Sequence, residues 1–280
     1  MNLSITSAIG HIRSFLSFVF ITVNLLIWLP GLIMAALVRI ILPTQPVKKT
    51  MFRVVSLIYK AAVNIDTWYL TQILKINLNI DAPEELLDEL SRPGKSLVIC
   101  NHQSWFDIFV LQALICRGSP ILQFVIKREL LWVPVLGWVC LVLDFPRMQR
   151  KKDPQSRILD RKTAKQASWN LNDEQGALML FPEGTRFTPA KHLATSSPFQ
   201  HLLTPKIGGF AVILQSIKKD ARILDMAIRY EPAEADCWQC MSGAVNNITI
   251  KVTSTKVQEI DDAALWLKQC WRNKDIWLGH

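Results

Sequence analysis

Apolar positions are unevenly distributed along this chain, and the unevenness predicts its elements. Residues 15–42 are almost wholly apolar, interrupted chiefly by Asn24, Pro30-Gly31 and Arg39. As a helix this stretch is ~42 Å long, enough to cross a ~30 Å hydrocarbon core with tilt and too short for two full crossings. One span is the default expectation. Pro30-Gly31 also permits a kinked, re-entrant hairpin confined to one leaflet. A cleaved signal peptide fits less well, because the run is too long and has no clear small-residue cleavage site. Residues 51–76 predict a second helix, whose broad apolar stripe (Val54, Val55, Ile58, Ala62, Ile65, Trp68, Tyr69, Ile73, Leu74) suits an interface or a lid.

Beyond Leu78 the pattern changes to short apolar runs alternating with helical stretches. Strands are expected at 96–100, 121–127, 141–145, 177–181, 224–230 and 248–255. Helices are expected at 105–115, at 131–140 with a break at Pro134, at 154–171 with a basic face, near 209–217 and at 261–277. Such alternation predicts an α/β fold, a mixed sheet flanked by helices with its site at strand ends. No repeat or long linker divides the later region. The expected organisation is therefore a membrane anchor and interfacial helix over 1–78 and an α/β domain over 79–280.

Composition sharpens this picture. Half of the 280 residues are apolar and mean hydropathy is positive, which is high for a purely soluble protein, and the excess sits at the N-terminus. Arg39, Lys48, Lys49 and Arg53 outnumber Arg13 across the apolar run, so the positive-inside bias places the following domain on the cytoplasmic side, with a bacterial inner membrane as the expected location. A net charge of +9 favours anionic headgroups and phosphorylated ligands. Nucleic acid is the competing partner for a basic chain, but no zinc-finger spacing, RNP-like strand or basic tail supports it. Cys100, Cys116 and Cys140 lie in apolar runs and read as core thiols in a reducing compartment. Cys237-x-x-Cys240 is half of a metal pattern with no second half, so no metal is expected. Trp132, Trp138, Trp169, Trp238, Trp266, Trp271 and Trp277 read mostly as core or interface packing.

Chemistry concentrates in two charged turns that follow apolar strands. The first is Asn101-His102-Gln103-Ser104-Trp105-Phe106-Asp107, the second Phe181-Pro182-Glu183-Gly184-Thr185-Arg186. Residues five apart on a helix point roughly 140° away from each other. His102 and Asp107 meet only if the histidine lies in the turn and the aspartate in the first helical turn, with Asn101 or Ser104 capping. The carboxylate then fixes one imidazole tautomer and leaves the other nitrogen free as a base. No Gly-x-Ser-x-Gly elbow supplies a nucleophile. The base is expected to act on a substrate hydroxyl, which attacks an activated acyl carbon; a hydrolase using the same base on water is the alternative. A non-catalytic membrane scaffold is a third reading, against which the charged residues of both turns weigh.

Asn-His-x-Ser-x-x-Asp followed by Phe-Pro-Glu-Gly-Thr-Arg resembles the glycerolipid acyltransferases, the group that includes the lysophosphatidic acid acyltransferases. The resemblance covers roughly residues 96–230 and rests on two motifs in the correct order. It implies transfer of a fatty acyl group from a coenzyme A or acyl-carrier-protein thioester to a lysophospholipid hydroxyl, most often that of lysophosphatidic acid, with no cofactor beyond the thioester itself. It also implies that His102 is the general base and Asp107 its partner, and that Glu183, Gly184, Thr185 and Arg186 bind the acceptor. The planar fork of Arg186 suits the glycerol phosphate. Arg150 matches a family arginine, although Arg147 stands where the family has an aromatic residue, and residues 224–230 lack a family proline. Lys127, in Lys127-Arg128-Glu129-Leu130, is a further candidate for the phosphate. Leu131, Val133, Val135, Leu136 and Trp138 read either as the wall of an acyl tunnel or as ordinary core.

Overall fold

Two long helices open the chain, and one of them is bound to the rest along most of its length. In the computed structural model, residues 2–91, 94–119, 121–149, 153–173, 176–233 and 235–279 are described. Helix α1 (Asn2–Ile41) runs without a break through Pro30, which faces outward, and α2 (Gln45–Trp68) ends in a wider π-helical turn, Tyr69–Ile73. The chain reverses at Leu42, Pro43 and Thr44 rather than at Pro30-Gly31. The two helices thus form an antiparallel pair: Asn24 Nδ2 donates to Ala62 O (2.9 Å) and to Asp66 Oδ1 (2.8 Å). Buried Ser14, Ser17, Ile21, Asn24, Leu32 and Ala35 form one stripe of α1 at the three- and four-residue spacing of a helix face, while Phe15, Leu16, Ile27, Met34 and Ile40 are exposed. Ser14 Oγ donates to Trp238 O (2.7 Å) and Ser17 Oγ to Met241 O (2.8 Å), pinning the start of the stripe to the later domain. Ala8–Ile41 is long and apolar enough to cross a membrane by length and composition.

The remaining elements are β1 (Asn77–Asp81), α3 (Glu84–Leu90), β2 (Lys95–Cys100), α4 (Asp107–Ile115), β3 (Leu122–Phe124), β4 (Ile126–Lys127), a 3-10 turn (Arg128–Trp132), α5 (Leu136–Val142), β5 (Arg147–Met148), α6 (Pro154–Asp173), β6 (Gly176–Leu180), α7 (Pro189–Thr195), α8 (Ile207–Ser216), β7 (Arg222–Glu231), α9 (Cys237–Ser242), β8 (Asn247–Lys256) and α10 (Ala263–Leu278). Six strands make one sheet in the order β1-β8-β7-β2-β6-β3, parallel except for the β7–β8 pair, so the sheet is mixed as expected. Strand β2 lies inside this sheet and is buried on both faces, which explains its continuous apolar run. Its side chains alternate. Val98 and Cys100 join the core shared with α1, α2, α4, α5 and α9, while Leu97 and Ile99 join the core under α6, α8 and α10.

Two expected strands differ. The run at 121–127 divides at Val125, so that β3 enters the main sheet and β4 pairs with β5 in a two-stranded ribbon. Residues 141–145 are not a strand: Leu141 and Val142 finish α5, and the chain turns at Asp144 with φ 50°. The three apolar residues before Asp144 do not distinguish a strand from the end of a buried helix. Strand β1 and helices α3, α7 and α9 are short additions that the apolar pattern did not predict.

Candidate active site

Strand register brings the two charged turns together. Parallel strands β2 and β6 pair Ile99 with Leu180, and continuing that register three residues sets His102 opposite Glu183. The contacts follow: the His102 amide approaches Glu183 Oε1 at 3.4 Å, and the Phe187 amide donates to His102 O at 2.7 Å. On the other side β2 pairs with β7, Cys100 opposite Met226. Two residues farther along β7, the fully buried side chain of Asn101 extends the ladder in place of backbone. Its Nδ2 donates to Ile228 O (3.0 Å) and its Oδ1 accepts from Ile228 N (2.8 Å). Asn101 therefore fixes the turn and does not cap α4. Ser104 does not cap it either: its Oγ accepts from the Phe106 amide at 3.2 Å and so braces the turn before the helix.

Helix α4 begins at Asp107, so the carboxylate folds back on the turn that precedes it. Asp107 Oδ2 accepts from His102 Nδ1 (2.8 Å), Gln103 N (2.9 Å) and Ser104 N (3.1 Å), and Oδ1 accepts from the Tyr230 hydroxyl (2.5 Å). Burial and the neighbouring carboxylate push the Tyr230 phenol well above its ordinary value, so it stays a donor. Phe181 stacks on the imidazole, with centroids 4.0 Å apart and planes 16° apart, and Trp105 meets it edge-on at 6.4 Å. With 12% of its side-chain surface open, His102 is accessible at one edge. Among the described residues no protein group bonds its Nε2, which leaves that nitrogen available to a ligand.

Charge gathers beside this edge. The Arg186 guanidinium lies over the Trp105 indole, 5.0 Å from the ring centroid, so the ring that borders His102 also carries Arg186. Lys191 Nζ donates to Thr185 Oγ1 (2.8 Å) and to Arg186 O (3.0 Å). Burial, then the charges of Arg186 and Lys127, lower the Lys191 pKa. Among the described residues none of the three forms a salt bridge with a carboxylate. Gly184 needs its freedom here, with φ 72° and the Lys206 side chain where a Cβ would stand. Glu183 points inward instead. Only 2% exposed, it has an Oε2 that makes no well-aligned hydrogen bond, and burial pushes its carboxyl up to about 8 against the pull of the His102 and Leu203 amides. It joins the two turns and is shielded from the cleft. Arg150 lies outside the described residues. Lys191, Tyr230 and Asn101 were not among the expected site residues.

An apolar cavity of about 420 Å³ adjoins Trp105 on the α1 side of the sheet. Phe18, Leu25, Trp28 and Leu32 of α1 line one wall, while Val133, Leu136, Val139 and Leu143 line another. The run from Phe18 to Leu32 corresponds to ~21 Å along a helix, the span of a long fatty acyl chain. Of the five tunnel candidates, Val133 and Leu136 face this cavity; Leu131, Val135 and Trp138 do not line it. Cys237 borders it from α9, a thiol that burial pushes up to about 12.

The sequence model of the Acyltransferase family matches residues 84–229, just over half of the chain. A 1-acyl-sn-glycerol-3-phosphate acyltransferase 3 of Arabidopsis thaliana is 26% identical, over 93% of this chain and 73% of the relative. The delta 1-acyl-sn-glycerol-3-phosphate acyltransferase of Bos taurus is also 26% identical, over 64% of this chain and 51% of its own length. A Cocos nucifera 1-acyl-sn-glycerol-3-phosphate acyltransferase is 29% identical over 39% of this chain and 33% of its own. The chain thus spans about half the length of the mammalian relative and about three quarters of the Arabidopsis one.

Proposed function

We propose that this chain, which belongs to the acyltransferase family, moves a fatty acyl group from an acyl thioester to the free hydroxyl of lysophosphatidic acid. The observation that carries the reading is the open edge of His102, with Nδ1 held by Asp107 and the Trp105-seated Arg186 on the same rim. Arg186 and Lys191, neighbours in the second turn without a carboxylate partner among the described residues, suit a phosphate monoester, and the names of the relatives support that acceptor. An acyl-coenzyme A or acyl-carrier-protein thioester is the donor, its tail in the apolar cavity. The reaction proceeds at a membrane, with the cytoplasmic face of a bacterial inner membrane as the proposed site.

In the proposed step, Arg186, aided by Lys127 and Lys191, holds the acceptor phosphate. The free hydroxyl meets His102 Nε2. As its oxygen bonds to the thioester carbon, the proton passes to Nε2, and Asp107 stabilises the imidazolium. Collapse of the tetrahedral intermediate breaks the carbon–sulfur bond, and the imidazolium returns its proton to the departing thiolate. Holding both partners in one cleft supplies much of the remaining acceleration.

The test is an acyl-coenzyme A assay in detergent against lysophospholipids of different headgroup. Turnover is expected with lysophosphatidic acid, falling about 10²- to 10⁴-fold in His102→Ala with folding unchanged. Free fatty acid release without transfer would instead identify a hydrolase. Preference for a diester headgroup would remove the phosphate assignment.

A further inference from the structure

Helix α5 is apolar on every side. Its sequence, Leu136-Gly137-Trp138-Val139-Cys140-Leu141-Val142, has no polar side chain, and a helix of that kind belongs in a core or in lipid. One side accounts for itself, since Leu136, Val139 and Cys140 line the cavity. The other does not. Trp138 is 50% exposed and Leu141 46%, three residues apart and so on one face. The preceding 3-10 turn adds Trp132, 87% exposed. The backbone forces this display. Gly137 sits so close to the Leu131 carbonyl that no Cβ fits, and Val135 is held at φ 64°, so the tight turn leaves Trp132 outward. Of the tryptophans expected mostly in core or interface packing, Trp271 is buried in the core while Trp132 and Trp138 are exposed.

We infer that Trp132, Trp138 and Leu141 form a second membrane-contacting surface, by which the catalytic domain itself enters the lipid leaflet that receives α1. Continuity with α1 identifies the occupant as bilayer. Helices α1 and α5 share the cavity walls, and Leu141 borders the same cleft as Arg39, Ile40 and Phe52. The patch therefore extends the apolar outer face of α1 toward its basic end, where Arg39, Lys48, Lys49 and Arg53 suit anionic headgroups. Tryptophan is the side chain most at home at headgroup level. The buried stripe of α1 from Ser14 to Ala35 corresponds to ~32 Å of helix. Because part of that stripe is bonded to α9 and shares a cavity with α5, while the rest packs on α2, α1 cannot enter a bilayer without bringing α5 and α9 to its surface. Acceptor and product then exchange directly between the leaflet and the cavity mouth.

The test uses the full chain in vesicles of phosphatidylcholine and phosphatidylglycerol. A single environment-sensitive fluorophore is attached at Trp132→Cys or at Lys268→Cys, an exposed control on α10, with labelled parent protein as background. Nitroxide-bearing lipids are expected to quench the first and spare the second, and equal quenching would overturn the inference. This arm does not depend on the proposed reaction. A second arm rests on that reaction and compares the double variant Trp132→Ser, Trp138→Ser with the parent on two acceptors. KM for long-chain lysophosphatidic acid in vesicles is expected to rise about tenfold, with a short-chain, water-soluble acceptor unaffected. Equal losses on both acceptors would point to damage within the site and overturn the lipid role. Loss of all turnover in the parent, with quenching at 132 intact, would refute the reaction and leave the surface standing.

Discussion

The two charged turns stand side by side, yet they treat their polar groups in opposite ways. In the first, Asn101 bonds both backbone groups of Ile228 and Asp107 collects four donors. In the second, Arg186 rests on an indole beside Lys191, and among the described residues neither has a carboxylate partner. Under the proposed function the difference follows from two tasks. A base must be aimed, so its turn is saturated with internal bonds that hold one ring pose. A binding cation must keep its bonding capacity for the ligand, so its turn tolerates repulsion until an anion arrives.

The comparison breaks most severely at Asp107. Asp107→Asn keeps the shape but turns one acceptor oxygen into a donor facing groups that already donate, and it no longer selects the productive imidazole tautomer. The expected outcome is a fall in kcat of about 10³-fold, with the acceptor KM nearly unchanged. The turn also loosens by about 1–3 kcal/mol, visible as earlier thermal unfolding. If KM rose and kcat held, the first turn would be the binding turn and the assignment would be reversed.

Arg186→Ala probes the opposite character. Losing a charge-assisted fork of about 1.5–3 kcal/mol corresponds to a KM for lysophosphatidic acid raised ~10- to 150-fold, with a smaller effect on kcat. With monoacylglycerol, which has no phosphate, variant and parent are expected to behave alike. A matching loss on the uncharged acceptor would show that Arg186 supports the fold of the turn instead. Lys191→Ala is expected to act more weakly, raising KM about two- to tenfold, because Lys191 also secures Thr185 and the Arg186 carbonyl.

How much of this was legible depended on sequence distance. His102 and Asp107 lie five residues apart, so a turn running into a helix relates them from spacing alone. The partners that complete the first turn come from β7, Tyr230 lying 123 residues from Asp107, and only strand register brings them near. Lys191 was missed for a different reason. It lies on a seven-residue helix, α7, that no apolar periodicity announces. The fold class was readable because β2 and β6 are uninterrupted apolar runs between helical stretches. Strand and helix were confused at 141–145, where three apolar residues, Leu141 to Leu143, precede Asp144 and are too few to separate a 3.6-residue from a two-residue period. Helix α5 belongs to that ambiguity, since a surface facing lipid leaves the same sequence trace as a buried one.

Glu183 belongs to the second turn by sequence and to the first by environment, and its protonation separates the two descriptions. Its buried carboxyl is pushed up to about 8 from its usual 4.5. Between those values the folded chain retains a proton that the unfolded chain has released, so stability falls as pH rises through the window and levels off above it. Glu183→Gln keeps an oxygen for the His102 amide and removes the titration. The expected outcome is a flatter dependence of Tm on pH between about 5 and 8, with the variant ahead of the parent by a few kcal/mol at most above pH 8. Acceptor KM is expected to stay within twofold of the parent, because a group sealed from the cleft meets no ligand. Parallel Tm profiles would show that the carboxyl is already ionised at neutral pH and finds a partner in solution. An acceptor KM that rose with Glu183→Gln would return Glu183 to the binding surface and leave His102 to be positioned by Asp107 and Asn101 alone.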